Sequence, residues 1–222
     1  NVTHPAAFTY KLPDKVSMAE GAMVEPLAIG LQSASKAVIR PGDIALVIGA
    51  GPIGIMTALA ALAGGCAKIY ICDLVDEKLA VASQYDGIEG INATTANIAD
   101  VLLQATGRWG ADVVFECSGA AAVYDIALAA IRPAGCLVFV GMPVGKVQFD
   151  IVSAQAKEIR METVFRYANI YDRAINLIAS GKVDLKPLIS KTFAFKDSIA
   201  AFERAVQARP SDVKIQIKIS TG

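Results

Sequence analysis

The chain has 222 residues, 54% of them hydrophobic and 19% charged, and its 21 basic and 21 acidic side chains cancel to a net charge of zero. That apolar share excludes a disordered chain, and the length suits one large domain or one domain with an appended piece. Balanced charge removes any general attraction to nucleic acid or an anionic membrane, which leaves small-molecule partners as the expectation.

In chain order, residues 16–36 read as a helix interrupted at Glu25-Pro26, preceding the first strand. No charged residue occurs from Ile44 to Ala67, a length that invites a membrane reading. Gly49, Gly51, Pro52 and Gly54 break the stretch, however, into a short β-branched run and a later Ala/Leu-rich run. A buried strand, a tight turn and a buried helix are therefore predicted. Strands are expected at Ile44–Ile48, Lys68–Cys72, Val113–Glu116, Cys136–Val140 and Ile159–Phe165, with helices at Gly54–Ala63, Glu77–Tyr85, Ile98–Thr106 and Ala120–Ile131 between them. Nearly continuous apolar strands alternating with helices give a doubly wound parallel α/β sheet with helices on both faces.

After Phe165 the rhythm changes to a helix at Tyr171–Ala179, a strand at Ile189–Phe195, a helix at Ser198–Val206 and a strand at Val213–Ile219. The last strand alternates Val213, Ile215, Ile217 and Ile219 with Lys214, Gln216 and Lys218, so it should be half exposed and pair outside the parallel core. The organisation read from this is a lead-in segment at 1–25, a dinucleotide-binding domain at 26–167 and C-terminal helix and strand elements at 168–222.

Cys66, Cys72, Cys117 and Cys136 contain no CxxC pair, and His4 is the sole histidine. Isolated buried thiols are expected in place of a zinc knuckle or disulfide, in keeping with a cytoplasmic location. The first residue is Asn1, and Asn1–Pro13 has no basic stretch leading an apolar one, so no signal peptide is expected and the chain reads as a fragment or trimmed product.

Strand Ile44–Ile48 runs directly into Gly49-Ala50-Gly51-Pro52-Ile53-Gly54, a GxGxxG between a strand and a helix. The glycines suit a tight turn, close approach to a pyrophosphate and close helix packing, and the helix start attracts the phosphate charge. Asp73 closes the next strand 19 positions after Gly54, where an acid can accept hydrogen bonds from an adenosine ribose. It also selects NAD over NADP, because a 2′-phosphate about 5 Å away would be repelled by about 3 kcal/mol per unit charge at an effective dielectric of about 20. Lys78 either offsets part of that repulsion or is a solvated helix charge.

Ligands of such sheets bind beyond the carboxyl ends of the strands. The segments expected there are Cys117-Ser118-Gly119, Val140-Gly141-Met142-Pro143 and Phe165-Arg166-Tyr167. Val140, Gly141, Met142 and Phe165 are candidates to border the cofactor, although ordinary turn chemistry explains the glycines equally well. Arg166 and Tyr167 can hydrogen-bond a polyhydroxylated substrate or the nicotinamide end, or be a paired arginine and a packed tyrosine. Glu25 is either an exposed surface acid or a buried carboxylate in need of a partner.

Together, Glu25-Pro26-Leu27, the glycine motif, Asp73-Leu74, Glu116-Cys117-Ser118-Gly119, Val140-Gly141, Val164-Phe165-Arg166-Tyr167 and Lys186-Pro187-Leu188-Ile189 resemble the zinc-type medium-chain alcohol dehydrogenases, and within them the polyol branch of sorbitol and bacterial xylitol dehydrogenases. The resemblance implies a Rossmann fold, NAD as cofactor, and hydride transfer between a small polyol and its ketose. It places Asp73 on the adenosine ribose, Ile53 beside the cofactor, Arg166 and Tyr167 facing the polyol, and Glu25 near the zinc and its water. The Cys, His and acidic zinc ligands of the family belong to a GroES-like N-terminal domain that this chain lacks, so zinc is expected in the intact enzyme, no complete zinc site in this chain, and little turnover from it alone. The resemblance further implies that residues 189–219 complete that domain's sheet and that strand 159–165 pairs across a twofold axis in a homodimer or homotetramer. The loop Asp86-Gly87-Ile88-Glu89-Gly90 departs from the family pattern before its third strand.

Two other classes stay open: a noncatalytic dinucleotide-binding module, and an S-adenosylmethionine-dependent methyltransferase, whose cofactor carries no pyrophosphate for the glycine turn to receive. A short-chain reductase is disfavoured because none of the six tyrosines is followed four residues later by lysine.

Overall fold

A computed structural model describes residues 3–219. Six parallel strands form the main sheet: β1 (Ile44–Ile48), β2 (Lys68–Asp73), β3 (Ile88–Asn92), β4 (Ala111–Glu116), β5 (Ile131–Phe139) and β6 (Arg160–Thr163), in the order β3-β2-β1-β4-β5-β6. The helices are α1 (Met18–Gly21), α2 (Val24–Ala37), α3 (Pro52–Gly64), α4 (Asp76–Ala82), α5 (Ile98–Ala105), α6 (Tyr124–Ala130), α7 (Ile151–Ala156), α8 (Tyr171–Ala179) and α9 (Ser198–Val206). Strands β7 (Ile189–Ala194) and β8 (Lys214–Lys218) pair in parallel as a separate two-stranded sheet.

The strand alternation explains why both faces are covered. Ala45, Val47, Ile69, Ile71, Val113, Phe115 and Val138 point into one core with α2, α3, α4 and α8. Their neighbours Leu46, Ile48, Tyr70, Cys72, Val114 and Leu137 point into a second core with α5 and α6. A strand apolar at every position therefore needs helices on both sides. The chain winds one way from β1 to β3, then returns to place β4 on the other flank of β1. A crevice opens at that reversal, beyond the strands' carboxyl ends.

The departures from sequence expectation are local. The break in the first helical stretch falls at Ala22-Met23 and not at Glu25-Pro26. Pro26 lies in the first turn of α2, where its missing N–H has no intrahelical partner to lose. The predicted helix 120–131 begins as a 3-10 turn at Ala121–Val123 and ends at Ala130, with β5 starting at Ile131. Helix α7 was not among the expected elements, and Ile88-Glu89-Gly90, read as part of the loop before a third strand, lie within β3 itself. The last core strand is confined to Arg160–Thr163, at the sheet's edge.

The C-terminal part is tied to the lead-in residues: Gln216 Nε2 donates to Ala19 O at 2.8 Å, and Lys186 Nζ lies 3.9 Å from Glu20 Oε1. Arg204 donates twice to Asp212, at 2.8 and 2.7 Å, clamping α9 to the approach of β8. The far face of α9 leaves Ile199, Phe202 and Val206 exposed. Among the described residues no helix is long and apolar enough to cross a membrane.

Candidate functional site

Residues from the loops after β1, β2, β4 and β5 meet at the reversal between β1 and β4. Gly49 has φ +102°, a conformation that a side chain disfavours. A Cβ on Gly54 would stand 1.8 Å from Gly49 O, so only glycine lets α3 start this close to β1. Gly51, by contrast, has nothing within 4 Å of where its Cβ would be. Its open side is the free approach that a phosphate needs to the first turn of α3, whose leading amides are unpaired within the helix. Pro52 and Ile53 begin α3 and are half-buried.

Asp73 ends β2 at the lip of this turn. Its Oδ2 accepts the Ala50 amide at 2.8 Å, while Oδ1 accepts the Leu74 and Val75 amides at 2.8 and 3.2 Å. Three of the roughly four acceptor positions of a carboxylate are thus filled, leaving Oδ2 one for a hydroxyl donor. Lys78 Nζ lies 3.9 Å from Oδ1, with about a third of its side chain exposed. Its charge falls on Asp73 and is not spent in solvent alone.

The floor of the crevice is organised by Glu116, which is fully buried at the end of β4. Its Oε1 accepts from Ser118 N, Ser118 Oγ and Gly119 N at 2.7, 2.6 and 2.8 Å. Its carbonyl accepts from both Val140 N and Gly141 N at 2.8 Å. Its other carboxylate oxygen is buried without a hydrogen-bond partner. A Cβ on Gly141 would lie 2.3 Å from Gly119 N and 2.8 Å from that oxygen, which explains glycine there. Val140 and Gly141 are half-buried beside the crevice, and Met142 projects outward at 69% exposure.

A second cluster joins Glu25, in the first turn of α2, to the segment after β6. Tyr167 Oη donates to Glu25 Oε1 at 2.8 Å and lies 2.8 Å from Tyr171 Oη. Burial, reinforced by these neighbours, pushes the Tyr167 phenol above its ordinary range. The Tyr167 and Tyr171 rings are 5.3 Å apart, and Tyr10 packs edge-on against Tyr171 at 5.0 Å. Glu25 is therefore exposed yet partnered, a combination between the two readings of its sequence. Arg166 stacks on Phe165 at 5.3 Å and forms no ion pair among the described residues.

The zinc-binding dehydrogenase family matches residues 52–180, more than half of the chain. The chain belongs to that family. Within it, a Rhizobium meliloti (strain 1021) protein is 66% identical over 218 residues, covering 98% of this chain and 63% of that protein. The D-xylulose reductase of Morganella morganii is 55% identical over 208 residues, covering 93% and 61%. An Escherichia coli oxidoreductase/dehydrogenase of unknown specificity superposes with a TM-score of 0.92 at 35% identity, covering 98% of this chain and 62% of that one. The 2R,3R-butanediol dehydrogenase of Bacillus subtilis gives 0.89 at 28% identity, covering 95% and 60%. The chain thus spans a little over three fifths of the length of these relatives.

For a zinc-binding dehydrogenase the donor set is informative. Among the described residues no three His, Cys, Asp or Glu side chains converge as metal ligands, so these residues do not by themselves fit a zinc site. A dinucleotide does fit, by the open side of Gly51 and the remaining acceptor position on Asp73. Sequence reasoning did not single out Glu116, Tyr171 or Tyr10 as site residues. A carboxylate closing an apolar strand signals the first, and the four-residue interval from Tyr167 signals the second; Tyr10 lies too far away in sequence to be found.

Proposed function

We propose that the chain is the cofactor-binding portion of an NAD-dependent polyol dehydrogenase that interconverts xylitol and D-xylulose or a close relative. The observation that carries this reading is the Asp73 carboxylate, hydrogen-bonded to Ala50 at the lip of a glycine turn whose Gly51 side is open. In this reading residues 26–167 hold the cofactor, 1–25 lead in from the catalytic lobe and 168–222 return to it. The name of the Morganella morganii relative supports the xylulose assignment, and the lobe that completes the site belongs to the length that the relatives have beyond this chain.

The α3 amides after Gly51 would receive the pyrophosphate and Asp73 a ribose hydroxyl. Ile53, Val140, Gly141, Met142 and Phe165 would border the rest of the cofactor. When bound, NAD supplies the hydride acceptor. Among the described residues the Arg166 guanidinium has no hydrogen-bond or ion-pair partner and so can donate to substrate hydroxyls, and Glu25 keeps one carboxylate oxygen as an acceptor. Asp73 disfavours a 2′-phosphate, and Lys78 at 3.9 Å softens that preference without reversing it. The free edge of β6 is where a second copy would pair, giving a dimer or tetramer, and the setting is the cytoplasm.

Calorimetry with NADH, NADPH and S-adenosylmethionine tests the reading. NADH is expected to bind more tightly than NADPH, with no heat from S-adenosylmethionine. Binding of the methyl donor alone would make the chain a methyltransferase domain, and absence of any dinucleotide binding would remove the proposal.

A further inference from the structure

Glu116 is fully buried at the end of β4, yet among the described residues no basic side chain forms an ion pair with it. Three donors converge on its Oε1, the pattern of an ionised carboxylate, which accepts only. Its Oε2 has no hydrogen-bond partner and lies 2.8 Å from where a Cβ on Gly141 would stand. The negative charge therefore sits between the 118–119 and 140–141 segments with no neighbouring cation to neutralise it. Burial of a charge in that condition costs stability, a cost that a cation arriving with a ligand would offset. The strand order says which part of a dinucleotide would arrive there. Strand β2, which ends in Asp73, flanks β1 on one side, and β4 flanks it on the other, with β5 beyond. With the phosphates on the β1 turn and the adenosine ribose at Asp73, the other half of the molecule extends over the ends of β4 and β5. That half carries the nicotinamide, whose ring is a cation in NAD+ and neutral in NADH.

We infer that the uncompensated charge of Glu116 sets the balance between the two redox forms of the bound cofactor, holding NAD+ more tightly relative to NADH than a neutral residue in its place would. The hydrogen bonds of Glu116 shape the crevice floor equally for both forms, so they cannot discriminate between them. Its charge can, because it acts from a buried position where solvent screens it little. Asp73 is no substitute, since it has Lys78 at 3.9 Å and lies under the half that is identical in the two forms. The inference rests on the dinucleotide-binding reading.

The test measures the affinities of the full chain for NAD+, NADH and AMP, with the variants Glu116→Gln and Glu116→Asp. Glu116→Gln keeps an acceptor oxygen for residues 118 and 119 and removes the charge. It is expected to weaken NAD+ relative to NADH by about 10-fold, as for unit charges about 10 Å apart at an effective dielectric of about 20, with AMP affinity unchanged because AMP spans only the adenosine half. Glu116→Asp keeps the charge on a shorter arm, so both dinucleotides should weaken together and their ratio should hold. An equal loss of NAD+ and NADH in Glu116→Gln, no loss of either, or a ratio that shifts in Glu116→Asp would each overturn the inference. Should Glu116→Gln lose AMP binding, and with it the fold, Glu116→Asp decides alone: a held ratio supports the inference and a shifted one removes it. If the unsubstituted chain binds no dinucleotide, the underlying reading fails first, and the calorimetry above detects that separately.

Discussion

Gly49 O occupies the space into which a Cβ on Gly54 would project, 1.8 Å away. The obstacle is backbone and cannot rotate aside, so Gly54→Ala must push α3 off β1. The expected cost is about 1–3 kcal/mol, typical of overpacking, read as a lower urea midpoint, together with loss of NADH binding because the amides after Gly51 move with the helix.

Asp73→Ala removes the acceptor for Ala50 and the remaining position for a ribose hydroxyl. A charge-assisted hydrogen bond is worth about 1.5–3 kcal/mol, so NADH affinity should fall by about 10- to 100-fold in calorimetry. NADPH should lose less, since the repulsion goes with the carboxylate and Lys78 remains. An equal loss for both cofactors would mean that Asp73 serves the turn alone.

Acid should loosen the lead-in helix and the small sheet before the main one. For Glu20, burial raises the pKa, but the Ser17 hydrogen bonds and Lys186 outweigh it and hold the carboxyl below its ordinary 4.5. The Arg204 pair likewise holds Asp212 below 3.8. Groups with depressed values contribute stability that is fully present above the unfolded value and lost as pH falls through the folded one. Hydrogen exchange is expected to show opening at residues 17–21 as the pH falls below 4.5 and at 204–218 as it falls below 3.8, with β1 and β4 still protected. Glu20→Gln should remove the first part of that response.

Cys117 is half-exposed in the crevice, yet burial of its thiol pushes the pKa up to about 12. Cys66 and Cys72, both buried, are raised to about 12 for the same reason. Because the thiolate is the reactive form, iodoacetamide at pH 8 should modify all three far more slowly than an unfolded control, as read by mass spectrometry. Rapid labelling of Cys117 would contradict the placement of its sulfur against Thr57.

The parallel sheet was legible because its strands are apolar at every position and its helices are punctuated by glycine and proline. Strand β3 was not, since Ile88-Glu89-Gly90-Ile91-Asn92 lies at the sheet's edge with Glu89 exposed. It carries too few apolar residues to stand out. The glycine turn and Asp73 could be paired from their spacing alone, because a strand, a turn and a helix have fixed lengths. That Ala50, Leu74 and Val75 would take up three acceptor positions on Asp73 could not, since backbone amides leave no mark in the residue pattern. The Glu25–Tyr167 bond joins residues 142 positions apart, and only the folded chain brings them together.

The placement of α8 has a bearing on how the molecule can be divided. The rhythm of the sequence changes after Phe165 and the boundary read at residue 167 invites a cut there, but Ile175 and Ile178, with Val183, Leu185 and Leu188 beyond them, are buried in the same core as β1 and α3. A nucleotide-binding half excised at residue 167 would therefore leave with an open flank, and anyone wishing to isolate it should carry the scissors past residue 188.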